Sequence, residues 1–174
     1  MSEFLKKIKL IQDLSTEVVI SKDEFISKLS MITEKRSTEL LSDPFEALRF
    51  GSSIYKGHVG SDNFNLKRKK KLFSANLNLA VAEGVVEEKH GKLWIDAEIN
   101  GFNKFFLFIV ILLIIIYVFA AFIISVADEN SINFLPFIFI HAIITFSILY
   151  FILRISVNKL KKSLLETFKS FENS

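Results

Sequence analysis

Two long stretches without a charge constrain this chain more than any other feature. Phe105 to Ala127, FFLFIVILLIIIYVFAAFIISVA, is 23 residues long, and Phe134 to Leu153, FLPFIFIHAIITFSILYFIL, is 20. At ~1.5 Å rise per residue, helices of these lengths reach across a hydrocarbon core of ~30 Å. Core helices of soluble domains carry an apolar stripe opposite a polar face, and neither stretch has a polar face. Between them DENSIN, Asp128 to Asn133, is enough only for the turn of a helical hairpin, so both ends of the hairpin emerge on the same side. About a hundred residues of mixed sequence precede the first span without an apolar leader-type segment, so the expectation is an anchored chain, not a secreted one.

The flanking charges give an orientation. Lys104 precedes the first span and Arg154, Lys159, Lys161 and Lys162 follow the second, whereas the turn carries Asp128 and Glu129. The positive-inside bias then places both termini in the cytoplasm, in a multi-pass protein with spans at 105–127 and 134–153. Composition agrees with such segregation. The chain is 51% hydrophobic and 24% charged, with a mean hydropathy of +0.39. Its net charge of +3 is too small for a strongly basic nucleic-acid binder, and no nucleic-acid partner is expected. The absence of cysteine excludes disulfides, thiolate metal sites and a cysteine nucleophile.

Residues 1–102 read as a cytosolic α+β domain. Ser21 stands three residues before Glu24, the spacing of a capping box, and Phe25, Ile26, Leu29 and Ile32 share one face of the helix that follows. Ahead of it, LKKIKLIQDLS fits a strand through Ile8 and Leu10 and a helix through Leu5, Ile8 and Ile11; the strand is favoured. LLSDPFEA around Pro44 reads as a break or a helix start. From Phe50 the pattern becomes an antiparallel β-meander, with strands at 53–59 and 64–67 about GSDN and at 77–87 and 93–99 about EKHGK. In the last strand Leu93, Ile95, Ala97 and Ile99 face one way and Trp94, Asp96 and Glu98 the other, giving one buried and one exposed face. Glu83 is anomalous, since clean alternation groups it with Leu77, Leu79, Val81 and Val85. A bulge at Gly84 that turns Glu83 to solvent is the preferred resolution.

The run KRKKK, Lys67 to Lys71, needs an anionic partner if it has one. With the domain held close to a bilayer, the candidate contact is an anionic lipid headgroup through Lys67, Arg68, Lys69, Lys70 and Lys71, each cation contributing ~1 kcal/mol. The plain alternative is a solvated loop. In the hairpin, His141 is the polar titratable group of the second span, and Thr145 shares its face. Tyr117, Ala121 and Ser125 share a face of the first span, so His141, Thr145, Tyr117 and Ser125 are candidates for interhelical polar contact. After Arg154, residues 157–174 place Val157, Leu160, Leu164, Phe168 and Phe171 in one stripe ringed by lysines. Such an amphipathic helix either lies in the membrane interface or packs on the sheet.

The glycine-punctuated meander YKGHVGSDNFNLKRKKKLF, then NLAVAEGVVEE and LWIDAEI, beside two hydrophobic helices, resembles small bacterial membrane proteins with a pleckstrin-homology-like cytosolic sheet. The resemblance covers about residues 50–125 and rests on patterning. It implies a membrane-proximal binding or assembly module in the inner (cytoplasmic) membrane, and it carries no catalytic residues over. This chain differs in placing its sheet before the hairpin.

No reaction is specified by the residues. His58, His90 and His141 lie in separate segments without metal-ligand spacing, and neither phosphate-cradling glycine motifs nor a GxSxG elbow occurs. The expectation is a domain order of 1–102, hairpin 103–156 and tail 157–174, with no enzyme activity, no catalytic residue, no metal and no cofactor. The function expected is a membrane-anchored binding or assembly module with a homo-oligomeric or membrane-protein partner. The alternative is an oligomeric pore or proton-linked effector controlled by the cytosolic domain.

Overall fold

The computed structural model describes residues 2–35, 53–69, 78–89, 91–102, 104–127 and 133–172. It divides into two compact units, Met1–Gly101 with Leu153–Ser174, and Phe102–Ile152.

The first unit opens with helix α1 (Ser2–Lys7), which gives way to strand β1 (Ile11–Val18). The expected strand through Ile8 and Leu10 is thus corrected to a helix, a cap and a later strand. The cap explains the change. Lys9 adopts a left-handed φ of 61°, the Leu10 amide donates to the Leu5 carbonyl and the Lys9 amide to the Lys6 carbonyl. These paired bonds form a Schellman closure, sealed by the two buried side chains at its ends, Leu5 and Leu10.

Helix α2 (Lys22–Met31) starts as its sequence predicts, with Ser21 accepting from the Glu24 amide at 3.4 Å and Phe25 and Leu29 buried. Strands β2 (Thr33–Lys35), β3 (Tyr55–Val59), β4 (Asn63–Arg68), β5 (Val81–Lys89) and β6 (Lys92–Asn100) complete a six-stranded sheet of order β1-β6-β5-β4-β3-β2. The hairpins about GSDN and EKHGK are both present. The sheet is mixed, not purely antiparallel, because β2 runs parallel to β3. Pro44 and its neighbours lie outside the described residues.

One face of the sheet carries the core. Leu14, Val18, Phe64, Leu66, Ala82, Val86, Leu93, Ile95 and Ile99 pack there with Phe25 and Leu29 of α2. The cover on this face also includes the C-terminal part of a long helix, α4 (Leu135–Glu172), through Val157, Leu160, Leu164, Phe168 and Phe171. The tail therefore packs on the sheet and is continuous with the second apolar stretch. Phe168 meets Phe25 and Phe64 edge to face at centroid distances of 5.3 and 6.0 Å. Tyr55 reaches Ser163 and Thr167 at 2.9 Å each, and Ser156 Oγ accepts from the Leu79 and Ala80 amides at 2.8 and 2.9 Å.

Glu83 does face solvent, but no bulge turns it there: the β5 ladder is in unbroken register from Val81 to Lys89. Val81 and Val85 share its face, as alternation requires, and that face is the outer one. Ala82, Gly84 and Val86 point into the core instead.

In the second unit, helix α3 (Lys104–Ala127) and residues 135–152 of α4 form the apolar pair. Both helices are long and apolar enough to cross a membrane, and their most apolar windows contain no buried residue. A core helix of a soluble protein would be mostly covered. Here Ile115, Val118, Phe119, Phe122, Phe137 and Ile143 each stand more than half exposed.

Candidate functional site

The outer face of the sheet is ordered by strand register. Three successive rows run across β1, β6 and β5: Glu17, Trp94 and Glu87; Ser15, Asp96 and Val85; Asp13, Glu98 and Glu83. Residues on one face of a strand repeat every ~6.7 Å, so these rows form a regular grid. Six carboxylates fall in it. Among the described residues three lysines answer them: Lys6 on Asp13 at 2.8 Å and on Glu98 at 3.4 Å, Lys92 on Glu17 at 3.1 Å, and Lys89 on Glu87. The lysine ammonium groups of Lys6 and Lys89 are raised above their ordinary pKa by hydrogen bonds to Asp13 and Glu87 respectively. The formal balance of the grid is −3. Glu83 and Glu98 stand directly opposite one another, an arrangement that costs stability in a sheet.

Trp94 is 41% exposed and Val85 is 48% exposed in the middle of these acids. Beside them a groove of about 430 Å³ is lined by His58, Asn63, Asn65, Glu83, Val85 and Asp96, with Phe64 and Gly84 at its floor. Asn65 donates through Nδ2 to Glu83 Oε1 at 2.9 Å, while its Oδ1 is buried with no hydrogen-bond partner.

The basic run lies elsewhere and is largely turned inward. Lys67 sits in β4 opposite Lys56, and the two are only 1% and 2% exposed. Neither is without an interaction partner. Lys69 is buried against Glu34 at 2.8 Å, and Arg68 is half-buried, its charge acting on Tyr55. Lys70 and Lys71 lie outside the described residues. Burial of Lys67 and Lys69 withdraws both from surface contact; the sequence showed the charges but not that β4 carries the first of them into the sheet.

In the hairpin the structure brings together Tyr117, His141 and Thr145. Tyr117 Oη lies 2.7 Å from His141 Nδ1 and 2.9 Å from Thr145 Oγ1, and Thr145 Oγ1 lies 2.9 Å from the His141 carbonyl oxygen. Three bonds share three hydrogens, and one arrangement satisfies all of them. The Thr145 hydroxyl donates to the carbonyl, the Tyr117 hydroxyl donates to Thr145, and His141 Nδ1–H donates to Tyr117, leaving Nε2 as a bare acceptor. Ser125 is not part of this set; its hydroxyl donates to the Phe122 carbonyl of its own helix at 2.8 Å.

Sequence reasoning placed Trp94, Asp96 and Glu98 on an exposed face but missed the grid, because nothing in the chain announces which residues of β1 and β5 stand beside them. No group of three or more His, Asp or Glu side chains suited to a metal ion occurs among the described residues. No family model, curated protein or solved structure matches this chain.

Proposed function

We propose that this protein is a non-enzymatic, membrane-anchored binding or assembly module, held in the inner membrane by the α3–α4 hairpin with both termini in the cytoplasm. The observation that carries the reading is the contrast between the two faces of the sheet. One is sealed by α2 and the end of α4, while the other presents Trp94, Val85 and a grid of carboxylates on a rigid six-stranded support. Binding surfaces draw on exposed aromatic anchors set among polar groups, and a sheet fixes such groups in register. The run Lys67–Lys71 enters this reading with a reduced part. With Lys67 and Lys69 buried, contact with anionic lipid is proposed through Arg68 and through Lys70 and Lys71, the last two lying outside the described residues.

The test uses a photocrosslinking amino acid at Val85 and, as a control, at Ser27 on the exposed side of α2, in intact cells. A module gives a discrete crosslinked species from position 85 and not from position 27. No species from position 85 overturns the reading. Topology is tested separately through the cysteine-free chain: Asn130→Cys should react with an impermeant maleimide from outside, and Ser170→Cys should not.

The His141 set favours a second reading, a proton-linked or pore-forming hairpin, since an ionisable group within an apolar span is costly unless used. His141→Leu separates the two. An anchor leaves membrane potential unchanged, and an effector does not.

A further inference from the structure

We propose that the outer face of the sheet docks an extended, arginine- or lysine-rich segment of a partner protein. The inference rests on the binding-module reading and names the chemistry of its partner. The charged side chains that line the groove beside this grid, Glu83 and Asp96, are both carboxylates, set among the neutral amides of Asn63 and Asn65 and beside His58. A ligand rich in donors and positive charge complements both carboxylates, and an anionic one complements neither. Asp96 sits at the centre of the grid with no lysine in ion-pair contact among the described residues, the charge of Lys89 acting on it from further off.

Trp94 adds a second kind of recognition. Its half-exposed indole lies between Glu17 and Glu87 in the same row, and a guanidinium stacked on an indole face while bonded to a flanking carboxylate gains from both contacts. The grid also argues for a chain in preference to a small cation. Its rows repeat every ~6.7 Å, the spacing of alternate side chains along an extended peptide, so a segment lying parallel to β6 delivers one cation to each of three rows. The like-charged facing pair Glu83 and Glu98, held by Asn65 and Lys6 respectively, is relieved further when a ligand cation lies between them.

Trp94 is the single tryptophan of the chain and reports directly on its own site. The full chain in nanodiscs of zwitterionic phosphatidylcholine is titrated with the peptides Ac-(Arg-Thr)4-NH2 and Ac-(Glu-Thr)4-NH2 and with spermidine. The expected result is a saturable change in Trp94 emission with the arginine peptide alone, weakening about tenfold or more as salt rises from about 0.05 to about 0.3 M. Asp96→Asn with Glu98→Gln should weaken binding at least tenfold, whereas Lys92→Gln, which frees Glu17, should tighten it. That gain guards against mistaking a folding defect for a lost site. An equal response to the glutamate peptide, an affinity for spermidine matching that of the arginine peptide, or indifference to the Asp96 and Glu98 changes would each overturn the proposal. Should the crosslink from Val85 form while the arginine peptide fails, the module stands and the cationic partner does not.

Discussion

The ring of Phe64 occupies the space that a side chain on Gly84 would fill. The two residues face each other across β4 and β5, and a Cβ added to Gly84 would come within 2.8 Å of Phe64 Cε1 and 2.9 Å of Ala97 Cβ. The glycine is therefore required by packing, in an ordinary extended strand. Gly84→Ala should destabilise the sheet unit by about 1–3 kcal/mol, the usual cost of overfilling a packed core. Phe64→Leu combined with it should cost less than the sum of the two single changes, because the smaller side chain makes the room the methyl needs. Chemical unfolding in mild detergent, followed through Trp94, measures both.

Ser156 closes the backbone ahead of β5. Its hydroxyl oxygen is the acceptor for two buried amides, those of Leu79 and Ala80. Ser156→Ala leaves both donors without it, and at ~1–3 kcal/mol per unsatisfied group the expected loss is about 2–6 kcal/mol. Ser170→Ala, which removes an exposed hydroxyl bonded only within its own helix, should stay within about 0.5 kcal/mol. Equal losses in the two variants would show that the Ser156 bonds contribute nothing beyond helix propensity.

Tyr55 gives the fold a dependence on alkaline pH. Burial raises its hydroxyl above the ordinary value near 10, against the opposing hydrogen bonds of Ser163 and Thr167. Below about pH 10 the group is protonated in both states and its contribution is complete. As pH rises further the unfolded tyrosine ionises while the folded one keeps its proton, so stability falls until the folded hydroxyl also ionises. Tyr55→Phe should cost about 1–2 kcal/mol at neutral pH through the two lost hydrogen bonds and should remove this part of the alkaline decline. The lysines titrate alike in both proteins, so the difference between the two pH profiles isolates Tyr55.

What could be read from the chain and what could not divide along physical lines. The alternation of Leu93 to Ile99 and the stripe Val157, Leu160, Leu164, Phe168 and Phe171 are local periodicities, and each residue of both sets is buried in the structure. The cap at Ser21 is local as well. The partner of a face is not local. The stripe fits a lipid interface and a sheet equally well by composition, and the second possibility is the one realised. Glu83 misled because Val81 and Val85 look like core residues, yet the parity of β5 is set by Phe64 and Ala97 facing Gly84, on strands the local pattern cannot see. Lys67 and Lys69 read as surface charges available to lipid headgroups because burial of a lysine depends on partners remote in sequence, such as Glu34 for Lys69. The acidic grid needed three strand registers at once. Its members are individually ordinary and become a surface only when Glu17, Trp94 and Glu87 fall into line.

The hydrogen inventory at His141 leads to a prediction of tautomer. With Thr145 donating to the His141 carbonyl and Tyr117 donating to Thr145, the imidazole must carry its proton on Nδ1. Nitrogen-15 NMR of the selectively labelled histidine in bilayers should report the neutral Nδ1–H form. Thr145→Val removes the acceptor of the Tyr117 proton. The tyrosine is then free to donate to Nδ1 itself, and the histidine proton should move to Nε2. Tyr117→Phe removes the partner of Nδ1 altogether and should weaken hairpin association by about 0.6 kcal/mol, with ~1.7 as the upper end for such bonds in a membrane. A tautomer unchanged by Thr145→Val would mean that the Tyr117 proton does not rest on Thr145. An Nε2–H signal in the unmodified protein would overturn the assignment itself, because Thr145, donating to the His141 carbonyl, can only accept from Tyr117.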